Sequence, residues 1–373
     1  CSCYKTYVMK YFIIAGEASG DLHGSHLIKE LKLFKPNAEI QAWGGNLMQE
    51  QGAVIKKHIN ELAFMGFVEV LENLRTILKN FKLCKKQIKE FNPDTVIFID
   101  YPGFNLRMAK WVKKNNYKSV YFISPNVWAW KSSRAYKIRD YIDQMIVILP
   151  FEKEFYKKYG IEVKYFGHPL MDAIKNHKKT SFEEFCTENN LSNKPKIAVL
   201  PGSRKQEIKH ILPIMTEIVD KFPEYEFVIA GTSTIPIDLY KQNIKSENVK
   251  LLFGKTYDIL ANSTAGLIKS GTSTLEAALF DLPQVVCYKG GKISVAIAKI
   301  VAKVKYISLV NLILDKPSVK ELIQNDLNKD NLIQELNKIL PKGENYQAIK
   351  ADYNELFELL DSKDIYKNIA RIL

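Results

Sequence analysis

Short apolar runs alternate with helix-like stretches almost from one end of this chain to the other, in two successive series. That alternation calls for parallel sheets covered by helices. Runs 11–15, 95–99, 120–123, 145–149 and 163–166 make up the first series, and a helix through Leu22, Ile28, Leu31 and Phe34 follows its first member. A polar stretch, 175–196, breaks the pattern and carries Pro195 near its end. Runs 197–200, 226–230, 250–253, 266–269 and 284–287 then form the second series. The fold class expected is α/β, with two Rossmann-like domains at 9–170 and 196–344 joined through a linker region, 171–195. Residues 1–8 read as an upstream extension or an expression remnant, and 345–373 as helices packing back on a domain already formed. A length of 373 residues suits two domains of ordinary size.

Hydrophobic residues are 46% of the chain, which excludes global disorder. No apolar run reaches the length of a membrane span, and the first residues lack a signal-peptide core. Five cysteines, without a C-x-x-C pair, fit a reducing cytoplasm, with Cys84, Cys186 and Cys287 as buried thiols. The net charge of +13 is compatible with nucleic acid, an anionic membrane or anionic small substrates, and equally with a solvated lysine-rich surface.

In open parallel sheets, ligands collect beyond the carboxyl ends of the strands, so the loops there carry the functional question. After run 266–269, Ser270-Gly271-Thr272-Ser273 turns into a helix, whose free N–H groups and dipole suit a phosphate. Thr272, Ser273 and Thr274 add hydroxyls. Glu276 stands three residues past Ser273, so it is either the partner in a capping box or a carboxylate for a ribose diol. After run 197–200 comes Pro201-Gly202-Ser203-Arg204, where Gly202 permits close approach to a ligand and Arg204 can fork onto phosphate oxygens. Pro213 predicts that the following helix starts near Ile211. In the first half, Ala15-Gly16-Glu17-Ala18-Ser19-Gly20-Asp21 links strand to helix, with Asp21 as a candidate N-cap. Asp100 ends run 95–99 before Tyr101-Pro102-Gly103-Phe104-Asn105, and is either a turn former or a base for a sugar hydroxyl. Ser124-Pro125-Asn126-Val127-Trp128-Ala129-Trp130 places two tryptophans where sugar contact and plain packing are both open, and His168 reads as structural. No metal-ligand spacing and no Walker A pattern occurs, so neither a metal nor a cofactor is expected.

Taken in order, these blocks resemble the lipid-A-disaccharide synthase family, glycosyltransferase family 19, together with Met65-Gly66-Phe67-Val68-Glu69-Val70-Leu71, Leu149-Pro150-Phe151-Glu152-Lys153, Gly167-His168-Pro169 and Lys305-Tyr306-Ile307-Ser308-Leu309-Val310-Asn311-Leu312. The resemblance runs from residue 9 to the end. It implies a GT-B fold whose two domains face a cleft, with 9–170 taking the acceptor and facing the membrane, 196–344 holding the UDP-sugar, and the last helices returning to the N-terminal domain. It also implies metal-independent, inverting transfer from UDP-2,3-diacylglucosamine to 2,3-diacylglucosamine 1-phosphate (lipid X), making a β-1,6 bond for lipid A of lipopolysaccharide in a Gram-negative bacterium. By motif match Asp100 would be the base and Arg204 would hold the diphosphate. Gly16, Ser19, Gly20, Asp21, Asn105, Ser124, Trp128, Gly202, Ser203, Gly271, Thr272, Ser273, Thr274, Glu276 and Asn311 would line the substrate sites. Two departures stand out: Gly103, where many relatives carry a second acidic residue, and Val310, where proline is common.

The acylated substrates that the resemblance implies would require peripheral contact with the inner membrane from the cytoplasmic side. Phe67, Val70, Leu71, Leu74, Ile77, Leu78 and Phe81 recur at helical spacing among Arg75, Lys79, Lys82, Lys85, Lys86 and Lys89, which marks a candidate face. A second apolar stretch, 293–304, reads as core rather than membrane. Two rivals remain: another GT-B enzyme on UDP-N-acetylglucosamine, and a non-catalytic nucleic-acid binder. The second leaves the phosphate-suited loops unexplained, and nucleic acid is not an expected partner.

Overall fold

The apolar runs become the central strands of two separate parallel sheets. In the computed structural model the described residues are 7–62, 74–125, 133–178, 180–290 and 305–373. Two compact units emerge, one of Cys1–Pro169 with Ser362–Leu373, the other of Leu170–Asp361.

In the first unit, β1 (Lys10–Ile14), β2 (Glu39–Gly44), β3 (Val54–His58), β4 (Thr95–Ile99), β5 (Lys118–Phe122), β6 (Gln144–Val147) and β7 (Val163–Tyr165) form one sheet. Its order is β3-β2-β1-β4-β5-β6-β7. Helices α1 (Ala18–Phe34), α2 (Asn46–Glu50), α3 (Leu74–Phe91), α4 (Pro102–Lys114), α5 (Ser133–Tyr141) and α6 (Glu152–Lys157) belong to this unit. Leu27, Ile28 and Leu31 of α1 join the core on one face of the sheet; Cys84, Ile88 and Phe91 of α3 and Phe104, Met108 and Val112 of α4 join the core on the other. Chain order reverses between β1 and β4, which both pair in parallel register, so the loops after these two strands flank the switch point where such sheets bind ligands.

Leading into the second unit, α7 (Leu170–Lys175) and α8 (Phe182–Glu188) occupy the stretch expected to be a linker. It is not one: Phe185 is buried in the second core, and Ser181 and Glu184 close a capping box on α8. The second sheet runs β10-β9-β8-β11-β12-β13, built from β8 (Lys196–Leu200), β9 (Glu226–Gly231), β10 (Val249–Phe253), β11 (Ala265–Lys269), β12 (Gln284–Tyr288) and β13 (Lys320–Ile323). Its helices are α9 (Lys205–Thr216), α10 (Ile237–Asn243), α11 (Thr256–Ala261), α12 (Thr272–Leu279), α13 (Leu309–Leu314), α14 (Lys329–Ile339) and α15 (Tyr346–Leu360). Here the switch point lies between β8 and β11. At the start of β8, Lys196 is fully buried, and its charge is met by Glu226 at 2.7 Å and by the carbonyl of Lys194.

Two expectations about helices need correction. Helix α9 begins at Lys205, directly after the Arg204 loop, and runs through Pro213. Proline forfeits one internal hydrogen bond, but Ile208, Ile211, Leu212 and Met215 are all buried, and that shared apolar face holds the helix together. Nor do both C-terminal helices return to the first unit. Helix α15 stays in the second, where its Tyr353 hydroxyl accepts a bond from the Gln284 side chain at 3.0 Å. Only the final helix, α16 (Ile365–Ile372), packs on α1, with the Tyr366 hydroxyl 2.8 Å from His23 and the Tyr366 ring centred 5.0 Å from that of His26. Burial holds the His23 imidazole down at about 4 and, with the charge of His23, that of His168 at about 3. Cys84, Cys186 and Cys287 are buried free thiols.

Candidate functional site

At the first switch point the loop after β4 is held in an uncommon shape. Asp100 and Tyr101 are both left-handed, with φ of 43° and 49°. Aspartate tolerates this region; tyrosine does so at a cost. Two donors clamp the Asp100 carbonyl: the Tyr121 hydroxyl at 2.6 Å and the Asn105 amide at 2.8 Å. Burial and the nearby charge of Glu17 push the Asp100 carboxyl up to about 6, against a smaller opposing effect of the Tyr101 N–H. A carboxyl held there changes charge close to neutral pH.

Several residues expected to touch substrate have partners within the chain. Asp21 is not the N-cap of α1, because it sits inside that helix. Its buried carboxylate accepts the N–H groups of Gly45 (2.7 Å), Leu47 (3.1 Å) and Met48 (3.1 Å), so it caps α2. Asn105 is fully buried, and its amide also reaches the carbonyls of Ile14 and Ile99, tying the ends of β1 and β4. A Cβ on Gly16 would lie 2.4 Å from the Tyr101 ring, and one on Gly20 would lie 2.9 Å from that of Ala15. Both glycines therefore permit close packing within the unit. Ser124 is buried, donating to the Pro125 carbonyl at 2.9 Å and lying 2.7 Å from the Tyr156 hydroxyl. Below it Glu152 accepts the N–H of Leu149 at 3.0 Å, and burial raises its carboxyl to about 7. Ser19 remains exposed. A Cβ on Gly103 would meet nothing within 4 Å, so a side chain would have room there. Trp128 lies outside the described residues, as do Phe67 and Leu71.

Beyond the second switch point a cavity of about 370 Å³ opens, lined by both loops expected to hold phosphate. Gly202, Ser203 and Arg204 come from the β8 side, and Gly271, Thr272, Ser273 and Glu276 from the β11 side. Glu276 is not in a capping box. Gly271 is the residue before α12, and the Glu276 carboxylate instead accepts from the Tyr257 hydroxyl at 3.4 Å. Burial raises the carboxyl of Glu276, and burial beside Glu276 raises the hydroxyl of Tyr257. Thr274 is turned away, fully buried, its hydroxyl donating to the Gly271 carbonyl at 2.8 Å. Asn311 is likewise buried: its amide donates to the Val319 carbonyl (2.8 Å) and to Glu321 (3.0 Å), and accepts the Val319 N–H (2.9 Å). It braces the approach to β13.

Lys269 and Glu207 also line the cavity, and the sequence reading had not singled them out. Glu207 accepts the N–H groups of Ser203 (3.0 Å) and Arg204 (3.2 Å), and the Lys269 ammonium lies 2.8 Å away. A Cβ on Gly202, whose φ is +109°, would fall 2.2 Å from the same carboxylate. The close approach that Gly202 permits is therefore made by Glu207. Position alone could have flagged both: Lys269 ends a strand, and Glu207 stands three residues after Arg204 in capping-box spacing.

On the outward face of α3, Arg75, Leu78, Lys79 and Lys82 are exposed. Phe81 belongs to the other face, stacking on Phe104 at 4.4 Å between ring centres. Leu74 begins the helix.

Among solved structures this fold is shared with a Staphylococcus aureus MnaA–UDP co-structure (TM-score 0.68, 13% identity, 97% of this chain and 95% of that one). It is shared too with the glycotransferase of kitacinnamycin (TM-score 0.65, 10% identity, 98% of each chain). In sequence the chain is 35% identical over 366 residues to a lipid-A-disaccharide synthase of Coxiella burnetii (strain CbuG_Q212), covering 97% of this chain and 96% of that protein. With residues 11–372 matching its family as a whole, this chain belongs to the lipid-A-disaccharide synthetase family.

Proposed function

We propose that this chain condenses UDP-2,3-diacylglucosamine with 2,3-diacylglucosamine 1-phosphate, releasing UDP and the β-1,6-linked disaccharide 1-phosphate. The observation that carries the reading is the cavity at the second switch point, where Arg204 and the N-terminus of α12 converge. A diphosphate there takes N–H groups and hydroxyls from Thr272 and Ser273 and the fork of Arg204, while Glu276 accepts from the ribose diol. Asp100 takes the proton from the 6-hydroxyl of the acceptor. That oxygen then bonds to the anomeric carbon as the bond to the UDP oxygen breaks, inverting the centre. The charge gathering on UDP is met by Arg204 and the α12 dipole. Incubating the purified chain with both diacyl substrates should yield the disaccharide 1-phosphate by mass spectrometry. No product, together with turnover of UDP-N-acetylglucosamine alone, would move the assignment to the rival GT-B enzyme acting on that nucleotide sugar.

Among the described residues no helix is long and apolar enough to cross a membrane. We infer separately, from the acyl chains of these substrates, that they are reached from a membrane surface on the cytoplasmic side, and the exposed cations and Leu78 of α3 suit an anionic one. Each basic residue near such a surface contributes about 1 kcal/mol. Replacing Lys79, Lys82, Lys85 and Lys86 with glutamate should therefore largely abolish co-sedimentation with anionic vesicles. Undiminished sedimentation would exclude α3 as the contact.

A further inference from the structure

One carboxylate in the cavity of the second unit already gathers donors that an anionic ligand would seek. Glu207 holds the Ser203 and Arg204 N–H groups with one oxygen and the Lys269 ammonium with the other, and its own side chain is only 13% exposed. It thereby ties the loop after β8 to the end of β11, the two walls of the switch point. The two cations lining this site are held very differently. Arg204 is 77% exposed and only 3.9 Å from Glu207, whereas Lys269 is 17% exposed and paired at 2.8 Å.

We propose that Lys269 is a second, preorganised ligand of the donor diphosphate, and that Glu207 is the positioning residue that holds it at the cavity wall. The proposal rests on the UDP reading of that cavity and names a residue that reading does not use. An ammonium carries three N–H donors, and Glu207 engages it on one side, which leaves donors for a phosphate oxygen. A free lysine loses much rotamer freedom when it docks on a ligand; Lys269 has lost most of it already. Electrostatics give the pair a second property. Without Lys269, the Glu207 carboxylate would stand unbalanced beside an incoming dianion, so deleting the lysine removes an attraction and exposes a repulsion at once. Removing both charges should then be less harmful than removing the lysine alone.

Equilibrium binding of UDP and of uridine to the full chain tests this. Lys269→Met should weaken UDP binding by about 10- to 100-fold, the range of a charge-assisted hydrogen bond to phosphate, and leave uridine within about twofold. Lys269→Arg should restore most of the loss. The double variant Lys269→Met with Glu207→Gln, in which Gln can still accept the loop N–H groups, should bind UDP more tightly than Lys269→Met alone. Unchanged UDP affinity in Lys269→Met overturns the assignment. So does equal loss of UDP and uridine, the signature of a merely structural salt bridge. If the unaltered chain binds no UDP, the nucleotide reading of the cavity itself fails, a result distinguishable from either of these.

Discussion

Replacing Asp100 with asparagine should cut disaccharide formation by about 10²- to 10⁴-fold, the range of a general base, while leaving UDP binding unchanged. Asparagine is the informative substitute because the residue is left-handed, at φ 43°. Asparagine tolerates that conformation, whereas alanine would add backbone strain to the lost carboxylate. It also preserves the main-chain carbonyl that Tyr121 and Asn105 clamp. The pH dependence follows from the carboxyl being held up at about 6. Below that value Asp100 carries a proton and cannot accept another, so kcat/KM should fall tenfold per pH unit, with its acid limb centred near pH 6. Glu17→Gln removes the charge that, after burial, raises the group, and should move the limb to lower pH. Stability should run the other way. A carboxyl raised in the folded state stabilises the fold fully only below its unfolded value, and that contribution is lost as pH rises through 6. At neutral pH the ionised Asp100 is therefore a cost, about 1–2 kcal/mol once partial exposure is allowed for, and Asp100→Asn should raise Tm there while lowering turnover. A variant that turns over normally, or one that loses stability along with activity, would remove Asp100 from the base role.

How far the chain's pattern could be read depended on burial. Central strands such as β4 and β8 are buried along their whole length, so each is apolar after its first residue and was visible at once. Strands β2 and β3 were missed because they carry Glu39 and Gln41, and Lys56 and His58, towards a partly exposed edge. Strand β13, at the far edge of the second sheet, was missed for the same reason. The loops at the two switch points were legible because topology alone sends ligands there. Which polar groups pair within the chain was not legible. Asp21, Thr274 and Asn311 are residue types that bind a sugar or a backbone equally well, and a buried polar group takes whatever partner is nearest. Those partners lie at Gly45, Gly271 and Val319, and of these only Gly271 is close in sequence. Glu207 shows the converse. Its spacing announced a cap, yet its link to Lys269 depends on β8 and β11 being neighbours in the sheet.

Arg204→Ala should lower kcat for disaccharide formation by about 10²- to 10³-fold, while the apparent affinity for the UDP-sugar changes only a few-fold. The argument begins with how loosely the side chain is held. At 77% exposure and 3.9 Å from its partner, Arg204 is solvated before reaction, so what it gains from the ground-state diphosphate is nearly offset by what it loses from water. The leaving oxygen of UDP gains charge only as the anomeric bond stretches, and a bidentate guanidinium engages that charge more strongly than the resting ligand. Removing it should therefore appear in kcat. Lys269 is already ordered and should appear in UDP affinity, so the two cations of one cavity separate into different kinetic parameters. Arg204→Lys should recover little, since an ammonium cannot reproduce the fork. Tm should scarcely move: an exposed pair contributes about 0–1 kcal/mol, and the Arg204 main-chain N–H, which Glu207 accepts, survives in alanine. An effect confined to KM, or a large loss of Tm, would mean that Arg204 serves binding or the fold and does not stabilise the departing UDP.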